Sequence, residues 1–265
     1  MRYSKEEPLT RLSKAFIVGA GPGDPGLLTV RAMQILQSAE VVIYDRLVSA
    51  AILDLIPTTA ERIYAGKREG EQAAVQQFIF QTLIERAHAG LRVVRLKGGD
   101  PLIFGRGAEE WQLLRDAGIE VELVPGVSSA TSVPGLAGIP PTFRGIADGF
   151  AVVTGHLRHE ADEIDWSKYA AVDTLIILMG VRTRAHIASE LIRYGRPAGQ
   201  AIAFIEKGAT PEERVVTATL GEVAAGLVEV ENPAVFVAGE VVRLRPFFTA
   251  SLAELHPYAE ASELS

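Results

Sequence analysis

Ala15-Phe-Ile-Val-Gly-Ala-Gly-Pro-Gly-Asp-Pro25 and Arg92-Val-Val-Arg-Leu-Lys-Gly-Gly-Asp-Pro101 carry the fold of this chain in their order. In each, a short apolar run reads as a buried strand, Ala15–Val18 and Arg92–Leu96. Each run enters a glycine-rich loop and then a helical pattern. Glycine admits positive φ and lets main chain approach a ligand closely, while proline and aspartate fix the turn and cap the next helix. Open parallel sheets collect ligands where strand carboxyl ends meet such loops. Two of them, expected about half a sheet apart, point to a built binding site.

Outward from these loops the chain alternates strand and helix. Leu27–Ser38 has helical spacing, Val41–Tyr44 is strand-like, Ala50–Leu55 helical and Arg62–Tyr64 a short strand. Glu71–Ala89 reads as a long amphipathic helix stopped at Gly90, and Gly107–Ala117 as a helix stopped by Gly118, before a strand at Glu120–Val124. Such β-α repetition predicts a mainly parallel sheet with helices on both faces. Glycines and prolines then crowd Pro125–Gly149 around a short helix at Ser128–Leu136. A second series follows at Phe150–Thr154, Thr174–Met179, Thr183–Tyr194, Gln200–Ile205, Glu213–Thr219, Leu220–Val228 and Ala234–Val242. The Gln200–Thr219 and Ala234–Val242 segments look like hairpins, so this sheet is expected to be mixed. The expected organisation is an N-terminal α/β domain over 15–144 and a C-terminal one over 149–245, joined near Arg144–Asp148. Segments 1–14 and 246–265 read as peripheral tails.

Composition narrows the function. The 265 residues are 48% hydrophobic and 22% charged, ordinary for a globular protein, and long enough for two real cores. No apolar run approaches the ~18 residues of a membrane span. The polar opening Met1–Pro8 lacks a secretory apolar core, so the expected location is the cytoplasm. With no cysteine, thiolate catalysis and thiolate metal sites are excluded. Lys+Arg 26 against Asp+Glu 33 gives a net charge of −7, which argues against nucleic acid as partner. An anionic substrate must then meet local cations. Arg46, Lys67, Arg68, Arg106 and Arg144 lie in loops suited to that task.

Two competing signatures fail. Gly21–Gly26 matches the dinucleotide pattern G-x-G-x-x-G, with Asp45 near where a ribose-binding acid belongs. Yet the glycine that directly follows the strand is Gly19, and counting from it puts Asp24 where the third glycine should be. A carboxylate there would face the pyrophosphate, and two prolines remove amide donors. The phosphate-loop pattern is absent, because Glu61 stands where its first glycine belongs relative to Gly66-Lys67. The five histidines show no metal-ligand spacing, and no metal is expected. Leu102, Ile103 and Phe104 are suited to flooring a pocket for a flat ligand, or to packing beneath their own loop. Pro125-Gly-Val-Ser-Ser-Ala130 offers small residues and free amides at a helix start.

The segments Val18-Gly-Ala-Gly-Pro-Gly-Asp-Pro-Gly-Leu-Leu-Thr29, Tyr44-Asp-Arg-Leu-Val48, Ala65-Gly-Lys-Arg68, Val94-Arg-Leu-Lys-Gly-Gly-Asp-Pro-Leu-Ile-Phe-Gly-Arg-Gly107, Val124-Pro-Gly-Val-Ser-Ser-Ala130 and Ala137-Gly-Ile-Pro140 together resemble the tetrapyrrole methylases. Phe150–His156 and Leu178-Met-Gly180 continue the likeness, which covers about residues 15 to 245 and is nearest to the uroporphyrinogen-III C-methyltransferases. The resemblance implies two α/β domains, a homodimer, and an active site in the cleft between domains. It implies methyl transfer from S-adenosylmethionine to C2 and C7 of uroporphyrinogen III, giving precorrin-2 via precorrin-1 for sirohaem, cobalamin or haem d1 synthesis, with S-adenosylhomocysteine as co-product.

Carried over by position, cofactor contacts fall on Pro22, Gly98, Gly99, Asp100, Ile103, Ser128, Ser129, Met179 and Gly208. Asp45 matches a proton acceptor, Lys67 a proton donor, and Arg106 belongs with them at the reacting end. Arg46, Arg106, Glu109 and Arg144 match substrate positions.

Overall fold

The computed structural model of the protein describes residues 14–66, 72–156 and 164–250, with side chains from Gln77 onward in the second stretch. Five strands form the first sheet: β1 (Lys14–Gly19), β2 (Val41–Tyr44), β3 (Glu61–Tyr64), β4 (Val93–Lys97) and β5 (Glu120–Val124). They are all parallel, in the order β3-β2-β4-β1-β5. Side chains alternate between faces. Phe16, Val18, Val42, Val94 and Leu96 pack under α1 (Val30–Leu36) and α2 (Ala50–Leu53) through Ala32, Ile35, Leu36 and Ile52. Ala15, Ile17, Val41, Ile43 and Val93 pack under α3 (Gln72–His88) and α4 (Gly107–Asp116) through Ile79, Leu83, Ala87 and Leu114. Burial on both faces explains why these strands read as continuous apolar runs.

The β1-α1-β2 crossover leaves a place in the sheet that β4 later fills. The two glycine loops therefore follow adjacent strands, not strands half a sheet apart as the sequence reading has it. From β1 the chain leaves toward the face of α1; from β4 it leaves toward the opposite face, to α4. That divergence is the topological switch point at which open α/β sheets hold ligands.

The helix expected at Leu27–Ser38 is split. Asp24 caps a 3-10 turn at Pro25–Leu27, and α1 begins only at Val30, where the Thr29 hydroxyl accepts the Ala32 amide at 3.1 Å. Thr29 is a strong N-cap type.

The second unit holds a mixed sheet in the order β6-β7-β10-β8-β9. Its strands are β6 (Phe150–Thr154), β7 (Thr174–Leu178), β8 (Ala201–Glu206), β9 (Arg214–Thr219) and β10 (Ala234–Ala238). β6 and β7 are parallel; β10 runs antiparallel to β7 and β8, and β8 and β9 form the expected hairpin. α6 (Arg184–Arg193) and α7 (Leu220–Ala224) cover one face, and α5 (Ser129–Leu136) the other. The Ala234–Val242 segment is no hairpin. β10 stops at Ala238, and a 3-10 turn at Glu240–Leu244 returns Val241 and Val242 to the core. A buried turn prolongs an apolar run as well as a strand does.

By density of contacts the chain divides at Ser128–Ser129, ahead of the Arg144–Asp148 stretch. Ala130, Val133, Ala137, Ile139 and Ala147 lie in the core of the second sheet, which ties that loop region to it. No helix among the described residues is long and apolar enough to cross a membrane.

Candidate active site

At the carboxyl end of the first sheet, three glycines let three strand-to-helix loops cross at contact distance. A Cβ on Gly19 would lie 2.5 Å from the Gly126 Cα and 2.7 Å from the Gly99 carbonyl oxygen. One on Gly126 would lie 2.2 Å from that same oxygen. Gly99 itself has φ of +66°, and it exchanges both main-chain hydrogen bonds with Gly21, at 2.7 and 3.2 Å. Asp100 locks the junction: Oδ1 accepts the Leu102 amide at 2.8 Å and Oδ2 the Gly126 amide at 3.1 Å. The loop after β2 joins in, because a Cβ on Gly98 would meet Leu47 Cβ at 2.7 Å. The result is a floor of bare main chain across the ends of β1, β4 and β5, with Pro22 and Ile103 beside it. Leu102, Ile103 and Phe104 stand half-exposed at its rim. The short 3-10 turn after Asp24 also explains why the dinucleotide pattern fails, since no α-helix N-terminus follows the first glycines.

Asp45 and Arg46 follow β2 on the same edge. Asp45 Oδ1 accepts the Leu47 amide at 3.0 Å, and Oδ2 faces Arg95 Nη2 at 3.7 Å. Arg46 is exposed. Lys67 and Arg68 lie outside the described residues.

Beneath Asp45 is a charge cluster that the sequence reading missed. Arg95 and Lys97 alternate with Val94 and Leu96 along β4, so both turn toward α4, where Glu110 waits. All three are buried, at 3%, 4% and 1% exposure. Glu110 Oε1 receives Lys97 Nζ at 3.0 Å and Arg95 Nε at 3.2 Å; Arg95 Nη1 also donates to the Ile43 and Leu96 carbonyls. Burial, and then the Arg95 charge, lower the Lys97 ammonium below the ordinary lysine range, against the opposing pull of Glu110. Two charges inside an otherwise apolar strand were the available signal. Removing one partner of a buried cluster strands the others. Glu110→Gln, which leaves two buried cations facing a neutral amide, is expected to cost about 3–5 kcal/mol in chemical denaturation. A loss below about 1 kcal/mol would show the cluster to be hydrated.

Arg106 caps α4 from a left-handed conformation, φ +61°, and forks onto Glu109 through Nε at 2.8 Å. Phe104, two residues earlier, is also left-handed at +53°. Non-glycine residues in this region are costly and gather at functional loops. Ser128 closes the first unit, just after Gly126.

Ser129 opens α5 in the second unit. Met179 directly follows β7, with φ of +57° and half its surface exposed. Gly208 follows β8 between two left-handed residues, Lys207 and Ala209, and a Cβ there would lie 2.3 Å from Val133 on α5. Because β10 is antiparallel to both neighbours, β7 and β8 run the same way, and Met179 and Gly208 share one sheet edge. Arg144 is exposed on a tight turn closed by the Phe143 and Ala147 main-chain bonds, with Gly145 at φ +80°.

The family model described as Tetrapyrrole (Corrin/Porphyrin) Methylases matches residues 14–224. A curated siroheme synthase from Azotobacter vinelandii is 46% identical over 237 residues, 88% of this chain and 51% of that protein. Siroheme synthase 2 of Aeromonas hydrophila is 44% identical over 91% of this chain and 51% of its own length. The chain thus spans about half the length of these curated relatives. Among solved structures, uroporphyrin III C-methyl transferase from Thermus thermophilus in its native form has a TM-score of 0.78 and 48% identity, covering 87% of this chain and 99% of that one. The same enzyme complexed with S-adenosyl homocysteine gives 0.77 and 47%, with the same coverage.

Proposed function

The chain belongs to the tetrapyrrole methylases, and on that premise we propose that it transfers two methyl groups from S-adenosylmethionine to uroporphyrinogen III, at C2 and C7, giving precorrin-2 through precorrin-1. The observation that carries the reading is the glycine crossing of Gly19, Gly99 and Gly126 at the switch point of a parallel sheet. Bare main chain there, with an apolar rim at Leu102 and Ile103, fits a ligand with a flat base and a polar tail. Pro22, Gly98, Gly99, Asp100, Ile103 and Ser128 would hold the cofactor; Ser129, Met179 and Gly208 are assigned to it by the family likeness. The likeness to a Thermus thermophilus enzyme crystallised with S-adenosyl homocysteine supports that assignment. Homodimer formation and action in the cytoplasm belong to the same proposal.

When bound, S-adenosylmethionine supplies an electrophilic methyl group on a sulfonium. The macrocycle's carbon forms the new C–C bond with its own electron pair, the C–S pair returns to sulfur, and the macrocycle must release one proton per methyl gained. Asp45 would take that proton, and what supports the reading is a carboxylate held by the Leu47 amide and facing Arg95. Lys67 is assigned as the donor by position in the family pattern. Alignment of the reacting atoms is where most of the rate comes from: well-oriented intramolecular reactions gain about 7–11 kcal/mol.

The substrate carries eight carboxylates and the protein a net charge of −7, so binding depends on local cations. Arg46 and Arg106 on the first sheet's loop edge meet that need, and Arg144 and Glu109 are assigned to substrate by the same likeness. Arg106→Ala is expected to raise KM for the macrocycle about tenfold or more, leaving S-adenosylhomocysteine affinity within about twofold. Parallel loss of both would mean a collapsed loop.

The competing reading is a nicotinamide-dependent oxidoreductase, favoured only by the Gly21–Gly26 pattern. Equilibrium titration separates the two. S-adenosylhomocysteine is expected to bind and NADH not to; the reverse result would end the methyltransferase reading.

A further inference from the structure

Buried ion pairs are poor stabilisers, since apolar residues of similar volume often hold a core better. Two buried cations on β4, a strand whose other residues are valine and leucine, therefore call for another explanation. Arg95 has three kinds of partner. Its Nε donates to Glu110, its Nη1 to two carbonyls, and its Nη2 points at Asp45 from 3.7 Å. That last separation lies outside hydrogen-bond range, so the Asp45 oxygen keeps its lone pairs while feeling a full positive charge behind it. The other Asp45 oxygen is already held by the Leu47 amide. Glu110, with Lys97 on the same oxygen, fixes the guanidinium from below. Its Oε2 has no hydrogen-bond partner among the described residues.

Building on the reading above, we propose that Arg95, anchored by Glu110, is the positioning residue that orients the Asp45 carboxylate for proton acceptance. Arg95 does not touch substrate. It sets where the acceptor sits and which oxygen stays open, and Lys97 shares with it the Glu110 oxygen that anchors the guanidinium. Arginine is required by geometry, because a planar fork reaches Glu110, two carbonyls and Asp45 at once, and a single ammonium does not.

The test compares Arg95→Gln, Arg95→Lys, Asp45→Asn and the double variant Arg95→Gln/Asp45→Asn, all as full-length protein. Arg95→Gln leaves Lys97 and Glu110 as a neutral pair and is expected to fold. Its kcat should fall at least ~30-fold, with KM for uroporphyrinogen III and Kd for S-adenosylhomocysteine within about twofold. Arg95→Lys should recover part of that loss. The double variant should be no slower than Asp45→Asn alone, because two residues acting as one unit are not additive. A crystal structure of Arg95→Gln should show the Asp45 carboxylate turned from its wild-type position, a readout independent of turnover. Wild-type kcat in Arg95→Gln, losses that multiply in the double variant, or an unmoved Asp45 would overturn the proposal. Should Arg95→Gln fail to fold, Arg95→Lys decides: a kcat loss with cofactor affinity intact supports the role, and wild-type kcat contradicts it. Failure of the wild-type protein to methylate the macrocycle would count against the methyltransferase reading instead, while the Asp45 position in the variant crystal would still judge Arg95.

Discussion

Gly99→Val is expected to weaken S-adenosylhomocysteine binding by at least ~100-fold, about 2.7 kcal/mol, in a chain that still folds. Valine at φ +66° is a severe outlier, because a β-branched side chain crowds its own backbone in the left-handed region. Relief requires Gly99 to rotate, and Gly99 is bound to its neighbours on every side. It pairs twice with Gly21, and its carbonyl oxygen fills the space where Gly126 and Gly19 lack side chains. Any rotation therefore moves three loops at once, including the main chain proposed to hold the cofactor. The sheet beneath, with Ile17, Ile43 and Leu96 fully buried, has no reason to unfold. Isothermal titration together with a thermal melt reads both quantities. Unchanged affinity would show that this crossing is only a structural joint.

Asp45→Asn is the second large effect. Asparagine keeps the size of the side chain and an oxygen for the Leu47 amide, but loses the charge that faces Arg95 and the ability to take a proton. Turnover should fall by about 10²–10⁴, the usual contribution of a positioned acid or base, with cofactor affinity retained. Steady-state kinetics beside a cofactor titration settles it. A wild-type rate would reduce Asp45 to a turn residue.

Much of this was legible before any coordinates. The β-α alternation of short apolar runs and helical patterns pointed to the parallel first sheet, and the hairpin of β8 and β9 to the mixed second one. The glycine loops marked a candidate site, because only glycine lets main chain cross main chain this closely. The adjacency of β1 and β4 was not legible, since strand order depends on which later strand fills the gap a crossover leaves. The 3-10 turn after β10 was hidden because Val241 and Val242 are as buried as any strand residue. Arg95 and Lys97 escaped notice for a related reason. Their place in β4 was clear, but their partner Glu110 lies 13 residues or more along the chain, and only packing of α4 on the sheet brings it there.

The central claim is that this main-chain floor presents a sulfonium methyl group to a reduced macrocycle. Incubating the protein with uroporphyrinogen III and methyl-labelled S-adenosylmethionine, then counting labelled methyl groups in the product by mass spectrometry, tests it directly. Two methyl groups per macrocycle, at C2 and C7, are the predicted result. A macrocycle recovered without label, from protein that binds S-adenosylhomocysteine, would contradict it.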